Sequence, residues 1–180
     1  MKRVAIFISI FTSFLIALNN DKPNFKNLNF RFIGPDGNRA IAISGVSSDH
    51  NTYYIGAASG GLFKTTNKGI SWKPIFDDQD VSSVSAIAVS QKNPNIVWAG
   101  TGETFLIRPA HAIGDGIYKS EDGGNTWKNM GLQKTARIAK IVIHPKNDKI
   151  VYVAALGHTF GPQEDLSLIH ISEPTRRYRI

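Results

Sequence analysis

The 180-residue sequence contains no cysteine, so neither a disulfide framework nor a thiolate metal site can form. Beyond the first 20 residues, no window of a dozen residues keeps the 3.6 period of an amphipathic helix. Four of the histidines are dispersed and form no His-x-x-x-His pair: His50, His111, His144 and His158. These absences predict a chain held by its core and its hydrogen bonds, with no metal and no cofactor.

The chain also lacks a concentrated positive charge, although its net charge is +7 from 21 basic and 14 acidic residues. Much of this charge lies at the two ends. Without Lys2, Arg3, Arg176, Arg177, Arg179 and Glu173, 16 basic and 13 acidic residues remain, a net charge of +3. No cluster of Lys and Arg with interleaved aromatic residues is left, which argues against nucleic acid as a partner.

The first residues are typical of a secretory signal. Lys2 and Arg3 precede an uncharged, mostly apolar run from Val4 to Leu18. A run of about 15 residues is short for a membrane span of about 20. We therefore predict a signal peptide with a signal helix over residues 1–20 and an exported bacterial protein, periplasmic, cell-surface or secreted. The alternatives are a buried N-terminal helix and an uncleaved membrane anchor. We expect the protein to contact a membrane only through the signal peptide or such an anchor.

The last residues are unlike the rest. LSLIHISEPTR, residues 166–176, resembles a translated sequencing adapter rather than any protein family. We predict that residues 166–180 are a non-native read-through tail and exclude them from fold reasoning. An ordinary strand and tail is the alternative.

Between these ends the chain repeats itself. SAIAVSQKNPNIVWAGTG, residues 85–102, reads as two strands around a polar turn, and AKIVIHPKNDKIVYVAAL, residues 139–156, repeats the pattern. Trp98 then matches Tyr152, and in a weaker earlier copy Tyr54 matches Trp98. Runs rich in β-branched and aromatic residues, bounded by Asn, Asp, Pro and Gly, predict strands.

Each unit continues with a second hairpin, such as GIYKSEDGGNTWKNM, residues 116–130, whose Asp-Gly-Gly turn supplies the positive φ that tight hairpins require. Four antiparallel strands in a repeat of about 40–55 residues match a propeller blade. The predicted fold is all-β, an incomplete β-propeller of about two to three blades.

Two stretches at the same place in successive units carry a specific turn motif. SEDGGNTW resembles the Asp-box, or bacterial neuraminidase repeat, of β-propellers, and TTNKGISW resembles a degraded copy in which Asn replaces Asp. The resemblance implies that the acidic residue staples its own turn and is not catalytic. We expect the Trp that closes each second hairpin to be a packing anchor between sheets, and stacking on a sugar is the alternative. The residues concerned are Thr65, Asn67, Gly69, Ser71, Trp72, Ser120, Asp122, Gly124, Thr126 and Trp127.

Residues 30–165 as a whole resemble the N-terminal regions of large exported bacterial proteins related to the sortilin receptor propeller. FRFIGPDGNRAIAI, ASGGLFKTT and GDGIYKSEDGGNTW carry this resemblance. It implies that residues 21–165 are the N-terminal blades of a larger, truncated propeller. Such a protein is expected to bind a protein, peptide or glycan ligand.

The strongest candidate for a ligand site is a long connection in the second unit. TGETFLIRPAHAIGDG, residues 101–116, joins the second and third strands, whereas five residues, 57–61, do so in the first unit. Long loops on rigid sheets often carry ligand contacts. We predict that Glu103, Arg108, His111 and Asp115 line a site there. A solvated loop in which Arg108 pairs with Asp115 is the alternative.

An enzyme is the main rival interpretation. Xyloglucan-cleaving propellers also share the Asp-box, and the resemblance implies a catalytic Asp just before a Gly-Gly pair in the first blade. Ala58 stands at that position, so this catalytic residue is not carried over. A polysaccharide-active glycoside hydrolase whose carboxylates lie in other blades stays open, as does an assembly scaffold. The sequence predicts a binding module with no catalytic residue in this chain.

Overall fold

The computed structural model describes residues 34, 35, 39–104 and 112–158, together with the backbone of residues 167–172. All of them belong to one compact unit, Ile33–Ile180. The predicted signal peptide and signal helix, residues 1–20, lie outside the described residues. In the described part, no helix has the length and apolar character needed to cross a membrane.

Almost all regular structure in the described residues is antiparallel strand. Sheet I contains β1 (Ala40–Val46), β2 (Asp49–Ala57), β3 (Leu62–Thr65) and β4 (Lys73–Pro74), and sheet II contains β5 (Val84–Val89), β6 (Val97–Thr101), β7 (Ile117–Ser120) and β8 (Lys128–Asn129). Both sheets are paired in sequence order. The predicted all-β class and the four-stranded antiparallel blades are confirmed.

Sheet III contains β9 (Ile138–His144), β10 (Asn147–Ala155) and β11 (Ser167–Ser172), and β10 lies in the middle. A short 3₁₀ helix, Gln133–Thr135, precedes β9. β11 falls within the tail that the sequence predicts to be non-native, and its backbone occupies the place of a third strand. The origin of that tail stays a prediction.

The register of the strands confirms the matches between the units. Tyr54 pairs with Lys64 across β2 and β3, and Trp98 pairs with Lys119 across β6 and β7. Tyr152 pairs with His170 at the same place in sheet III. The aromatic residues that match in sequence therefore occupy equivalent positions in the three sheets.

Each pair of neighbouring sheets encloses its own hydrophobic core. Between sheets I and II the buried cluster is Val46, Tyr54, Leu62, Phe76, Val84, Val97, Ala99 and Tyr118. Between sheets II and III it is Ala86, Trp98, Ile117, Ile138, Ile141, Val151, Val153 and Ala155. Successive residues of a strand face opposite sides, so β6 sends Val97 and Ala99 to one core and Trp98 to the other.

The first strands of the three sheets lie closest together, since β1 contacts β5 and β5 contacts β9. Glycine makes this approach possible. A Cβ on Gly56 would lie 2.3 Å from the carbonyl oxygen of Val84, and one on Gly100 would lie 2.5 Å from the Ile138 side chain. Sheets that contact face to face and converge at their first strands form a partial β-propeller.

Candidate functional site

The end of each sheet's second strand is tied to the residue just before its first strand. Three equivalent backbone hydrogen bonds do this, from Ala58 to Arg39 (3.0 Å), from Gly102 to Ser83 (3.0 Å) and from Leu156 to Arg137 (2.9 Å). We call this edge of the sheets the mouth edge. Because the strands are antiparallel, it lies opposite the turns at residues 65–72 and 120–127. The long connection between β6 and β7 begins here.

Glu103 lies at the start of that connection and has no exposed surface. Its carboxylate pairs with the guanidinium of Arg39, 64 positions earlier in the chain. Its backbone N–H donates to the carbonyl of Ala112 (2.8 Å), and the Ala112 N–H lies 3.4 Å from its Oε2 atom. A buried carboxylate requires such partners, because desolvation otherwise disfavours its charge. Glu103 thus closes the base of the connection and joins it to sheet I.

Asp115 holds the other end of the connection. Its backbone N–H donates to Thr101 Oγ1 (2.9 Å), and the Tyr118 hydroxyl donates to its Oδ2 atom (2.5 Å). Burial, and then the hydrogen bond to Asp115, raises the pKa of Tyr118 to about 12, so that this hydroxyl keeps its proton. Asp115 is therefore anchored to strands β6 and β7.

The structure brings Glu103 and Asp115 to the two ends of one connection, each with its own partners. Arg108 and His111, the other two predicted ligand contacts, lie outside the described residues. Asp115 makes its described side-chain contacts with sheet II.

Sequence reasoning missed two arginines at the mouth edge. Arg39 pairs with Glu103, and Arg137 is buried, with its Nε donating to the carbonyl of Gly157 (2.9 Å). Each stands immediately before the first strand of a sheet, so aligning the repeats at that point was the signal that could have found them. Within the described residues, no group of three His, Asp or Glu side chains is placed to hold a metal ion.

The turn at residues 120–127 is closed by the carboxylate of Asp122. Its Oδ1 atom accepts from the Ser120 hydroxyl (2.8 Å) and the Thr126 N–H (2.9 Å), and its Oδ2 accepts from the Thr126 hydroxyl (2.6 Å). The Gly124 N–H donates to Ser120 Oγ (2.7 Å). The hydrogen bonds from Thr126, from its hydroxyl first and then its backbone, hold the pKa of Asp122 well below its ordinary value.

The turn at residues 65–72 makes an equivalent set of bonds without a charge. Asn67 Oδ1 accepts from the Thr65 hydroxyl (2.9 Å) and the Ser71 N–H (3.0 Å), and the Gly69 N–H donates to Thr65 Oγ1 (3.0 Å). The Asn67 amide also donates to Ser71 Oγ (2.9 Å). The side chains of Asn67 and Asp122 are therefore both engaged in hydrogen bonds within their own turns. This argues against a catalytic role for either residue.

Trp127 joins the second turn to sheet I. Its indole N–H donates to the carbonyl of Ile75 (2.7 Å), and its ring packs edge-on against Phe76, with centroids 5.3 Å apart. Trp72, its counterpart in sheet I, is half-buried. In sheet II the tryptophan after the turn therefore contacts the preceding sheet.

Comparison with known proteins shows the fold. No protein-family model matches the chain, and no curated protein does. Among solved structures, an ancestral GH74 enzyme matches with a TM-score of 0.52 and 21% identity over 64% of this chain. The GH74 enzyme of Niastella koreensis matches with a TM-score of 0.52 and 20% identity over 71% of this chain. The chain spans 16% and 18% of these proteins, which are β-propellers.

Proposed function

We propose that this chain is the N-terminal part of an exported β-propeller that binds a protein, peptide or glycan through loops at the mouth edge. The observation that carries the proposal is the fully buried Glu103, which pairs with Arg39 and fixes the base of the connection between β6 and β7. A loop whose two ends are held rigidly loses less conformational entropy when it binds a ligand. The four-residue connection of sheet I, between β2 and β3, is too short for this role.

The four predicted residues then take two different parts. Glu103 and Asp115 position the connection, because the structure gives each of them partners at its base. Arg108 and His111 are the proposed ligand contacts. A guanidinium and an imidazole suit a ligand that presents carboxylate or hydroxyl oxygens, to which both can donate hydrogen bonds. Export is part of the same proposal and rests on the apolar, basic start of the chain.

A glycoside hydrolase is the second candidate, and the two GH74 enzymes with the same fold favour it. Glycoside hydrolysis needs two carboxyl groups on either side of the scissile bond. Ala58 stands at the position where xyloglucan-cleaving propellers are expected to carry an Asp. Ala58 is buried, and its N–H donates to the backbone carbonyl of Arg39. Sheet II carries Gly102 at the equivalent place. A hydrolase would therefore take its carboxylates from other parts of a longer protein.

The experiment that tests the proposal uses the full-length protein with soluble xyloglucan as the probe, followed by calorimetry for binding and by reducing-end release for cleavage. We expect binding without cleavage, weakened at least tenfold by Arg108→Ala or His111→Ala. Lys128→Ala, on the exposed face of β8, is the matched control and should bind as the parent does.

Two outcomes would contradict the binding module. Release of reducing ends that a single Asp or Glu substitution abolishes would establish the hydrolase instead. Undiminished binding by Arg108→Ala and His111→Ala would remove the connection from the site. Glu103→Gln removes the carboxylate that pairs with Arg39 and should lower the melting temperature. A lower melting temperature is the result expected if Glu103 positions the connection, and it is not expected if Glu103 only contacts the ligand.

A further inference from the structure

The residue just before the first strand differs between the three sheets. It is Arg39 in sheet I, Ser83 in sheet II and Arg137 in sheet III. The backbone carbonyl of each accepts the hydrogen bond from the end of its sheet's second strand, so the three positions are equivalent. The two arginines nevertheless have different partners. Arg39 reaches the carboxylate of Glu103 in the long connection of sheet II, whereas Arg137 is bonded within sheet III's own segment.

Arg137 is a buried cation whose guanidinium is only partly bonded. It is 8% exposed, and its Nε atom donates to the carbonyl of Gly157 (2.9 Å). Within the described part of the chain, its two terminal nitrogens have no hydrogen bond and no carboxylate partner. A buried charge without an opposite charge is disfavoured, because it has lost much of its hydration. The terminal nitrogens of Arg137 are therefore available to donate to an anion.

The backbone before Arg137 is held in a strained turn. Ala136 has φ +53° and ψ −37°, near the region of the rare γ-turn with positive φ, and the Arg137 N–H donates to the carbonyl of Thr135. A residue with a Cβ is disfavoured in this conformation, and such strain persists only where the surroundings fix it. Strained residues of this kind cluster at ligand sites. The position of Arg137 is thus enforced by the fold.

The two ends of the long connection between β6 and β7 hold Ala136 in place. At one end, a Cβ on Gly102 would lie 2.0 Å from the carbonyl oxygen of Ala136 and 2.9 Å from Arg137 Cα. At the other end, the Gly114 N–H donates to the same carbonyl (2.7 Å). Arg137 therefore lies directly beside the connection, at the mouth edge and on its sheet III side.

We propose that Arg137 binds a carboxylate group of the ligand, at a subsite between the long connection and sheet III. The two terminal nitrogens of a guanidinium present parallel N–H donors whose spacing matches the two oxygens of a carboxylate. The bond to Gly157 and the turn at Ala136 fix these donors before the ligand arrives, which limits the entropy lost on binding. The inference deepens the proposed function, and it rests on that function only in taking the mouth edge as the binding face.

The test titrates the intact chain with sodium acetate and uses sodium chloride at the same ionic strength as the reference. NMR follows the Arg137 Nη signals, which Arg137→Lys assigns by their loss, and the Gly114 N–H, whose acceptor is Ala136. We expect saturable shifts of both, with a Kd below about 10 mM. Arg137→Ser should bind at least tenfold more weakly. Serine is the residue that sheet II carries at this position, so it suits the backbone there.

The matched control is Lys146→Gln, which removes one positive charge from the exposed turn between β9 and β10, at the edge opposite the mouth. It should bind acetate as the parent does. The absence of a saturable shift in the parent would overturn the proposal, and this result does not depend on the folding of any variant. Equal binding by Arg137→Ser, or tighter binding of inorganic phosphate than of acetate, would also overturn it.

Two larger probes distinguish the source of the carboxylate. Galacturonate represents an acidic sugar, and N-acetylglutamate α-amide represents an acidic side chain of a peptide. The probe that resembles the ligand should bind more tightly than acetate and lose that binding in Arg137→Ser, whereas binding that Arg137→Ser leaves unchanged would contradict the subsite. None of these titrations uses xyloglucan, Arg108 or His111. A failure of the carboxylate subsite is therefore distinguishable from a failure of the proposed function.

Discussion

The turns at residues 65–72 and 120–127 have nearly the same internal hydrogen bonds but different surroundings. In each, the side chain two residues after the hydroxyl residue accepts from that hydroxyl and from a backbone N–H four residues on. The second turn also receives donors from sheet I at Gly123, whereas Ile70 in the first turn is 73% exposed. The turn geometry is thus set locally, and its docking on a neighbouring sheet is an additional property.

The comparison also separates geometry from charge. Asn67 closes the first turn by accepting with Oδ1 and donating with its amide to Ser71. Asp122 closes the second by accepting alone, with the Thr126 hydroxyl as an extra donor. The direction of one hydrogen bond is reversed, and the turn is unchanged. A carboxylate is therefore not required for the structure, although it makes the second turn sensitive to pH.

The largest expected difference between the turns concerns the anchor of the second one. Trp127→Ala should lower the free energy of unfolding by about 3 kcal/mol, because it removes both the packing on Phe76 and the bond to Ile75. Trp127→Phe, the matched control, keeps an aromatic ring and should cost about 1 kcal/mol. Urea unfolding measures both. A loss below about 1 kcal/mol for Trp127→Ala would show that the second turn is not docked.

A smaller difference is expected at the glycines. Gly69 and Gly124 have φ angles of +80° and +96°, so alanine at either position should cost about 1 kcal/mol in backbone strain. At Gly124 the added Cβ would also lie 2.6 Å from Ile75 Cδ1, and the Ile75 side chain would have to move. We expect Gly124→Ala to be the more destabilising of the two in thermal melts. Equal decreases in melting temperature for the two variants would show that Ile75 does not pack against the turn at Gly124.

The donors of sheet I should contribute less again. Tyr54→Phe removes the bond to Gly123 while Lys64 keeps its own, and should cost about 1 kcal/mol. Burial raises the pKa of Tyr54 to about 12, so its hydroxyl remains a donor throughout the neutral range. Tyr53→Phe is the control, because adjacent residues of a strand face opposite sides of the sheet. Similar melting temperatures for the two variants would argue against the bond.

The smallest effect is the dependence on pH. The folded pKa of Asp122 lies below its unfolded value of about 3.9, so its stabilisation is complete above that value and is lost as the pH falls through the folded pKa. Asp122→Asn should therefore flatten the acid limb of stability against pH. Asn67→Asp should steepen it, with little change at neutral pH. If stability fell equally with decreasing pH in the parent protein, Asp122→Asn and Asn67→Asp, the proposed role of the Asp122 carboxylate would be contradicted.

Local patterns in the sequence were sufficient to predict much of the fold. Alternating β-branched residues between turn signals predict the hairpins. The register confirms that Tyr54, Trp98 and Tyr152 occupy equivalent positions. The fourth strands are short, since the ladder continues only through two residues, as at Lys128–Asn129. Trp127 instead turns its ring toward sheet I.

The candidate site was less predictable because its contacts connect distant parts of the chain. Glu103 is predicted as a ligand contact on the long connection, but its burial depends on Arg39, and no local pattern links positions 64 residues apart. Asp115 was assigned to a ligand site, and its contacts with Thr101 and Tyr118 appear only once β6 and β7 are paired. A repeat alignment extended to Arg39 and Arg137 would have indicated the mouth edge.

The most direct test of the stacked sheets is the set of NOEs from the Trp127 indole N–H in the intact chain. Three tryptophans give three indole signals, and Trp127→Phe assigns the relevant one. We predict strong NOEs from this proton to the side chains of Ile75 and Phe76, which belong to the segment after β4 of sheet I. NOEs confined to residues of the Trp127 hairpin itself would contradict the docking of one sheet's turn on its neighbour.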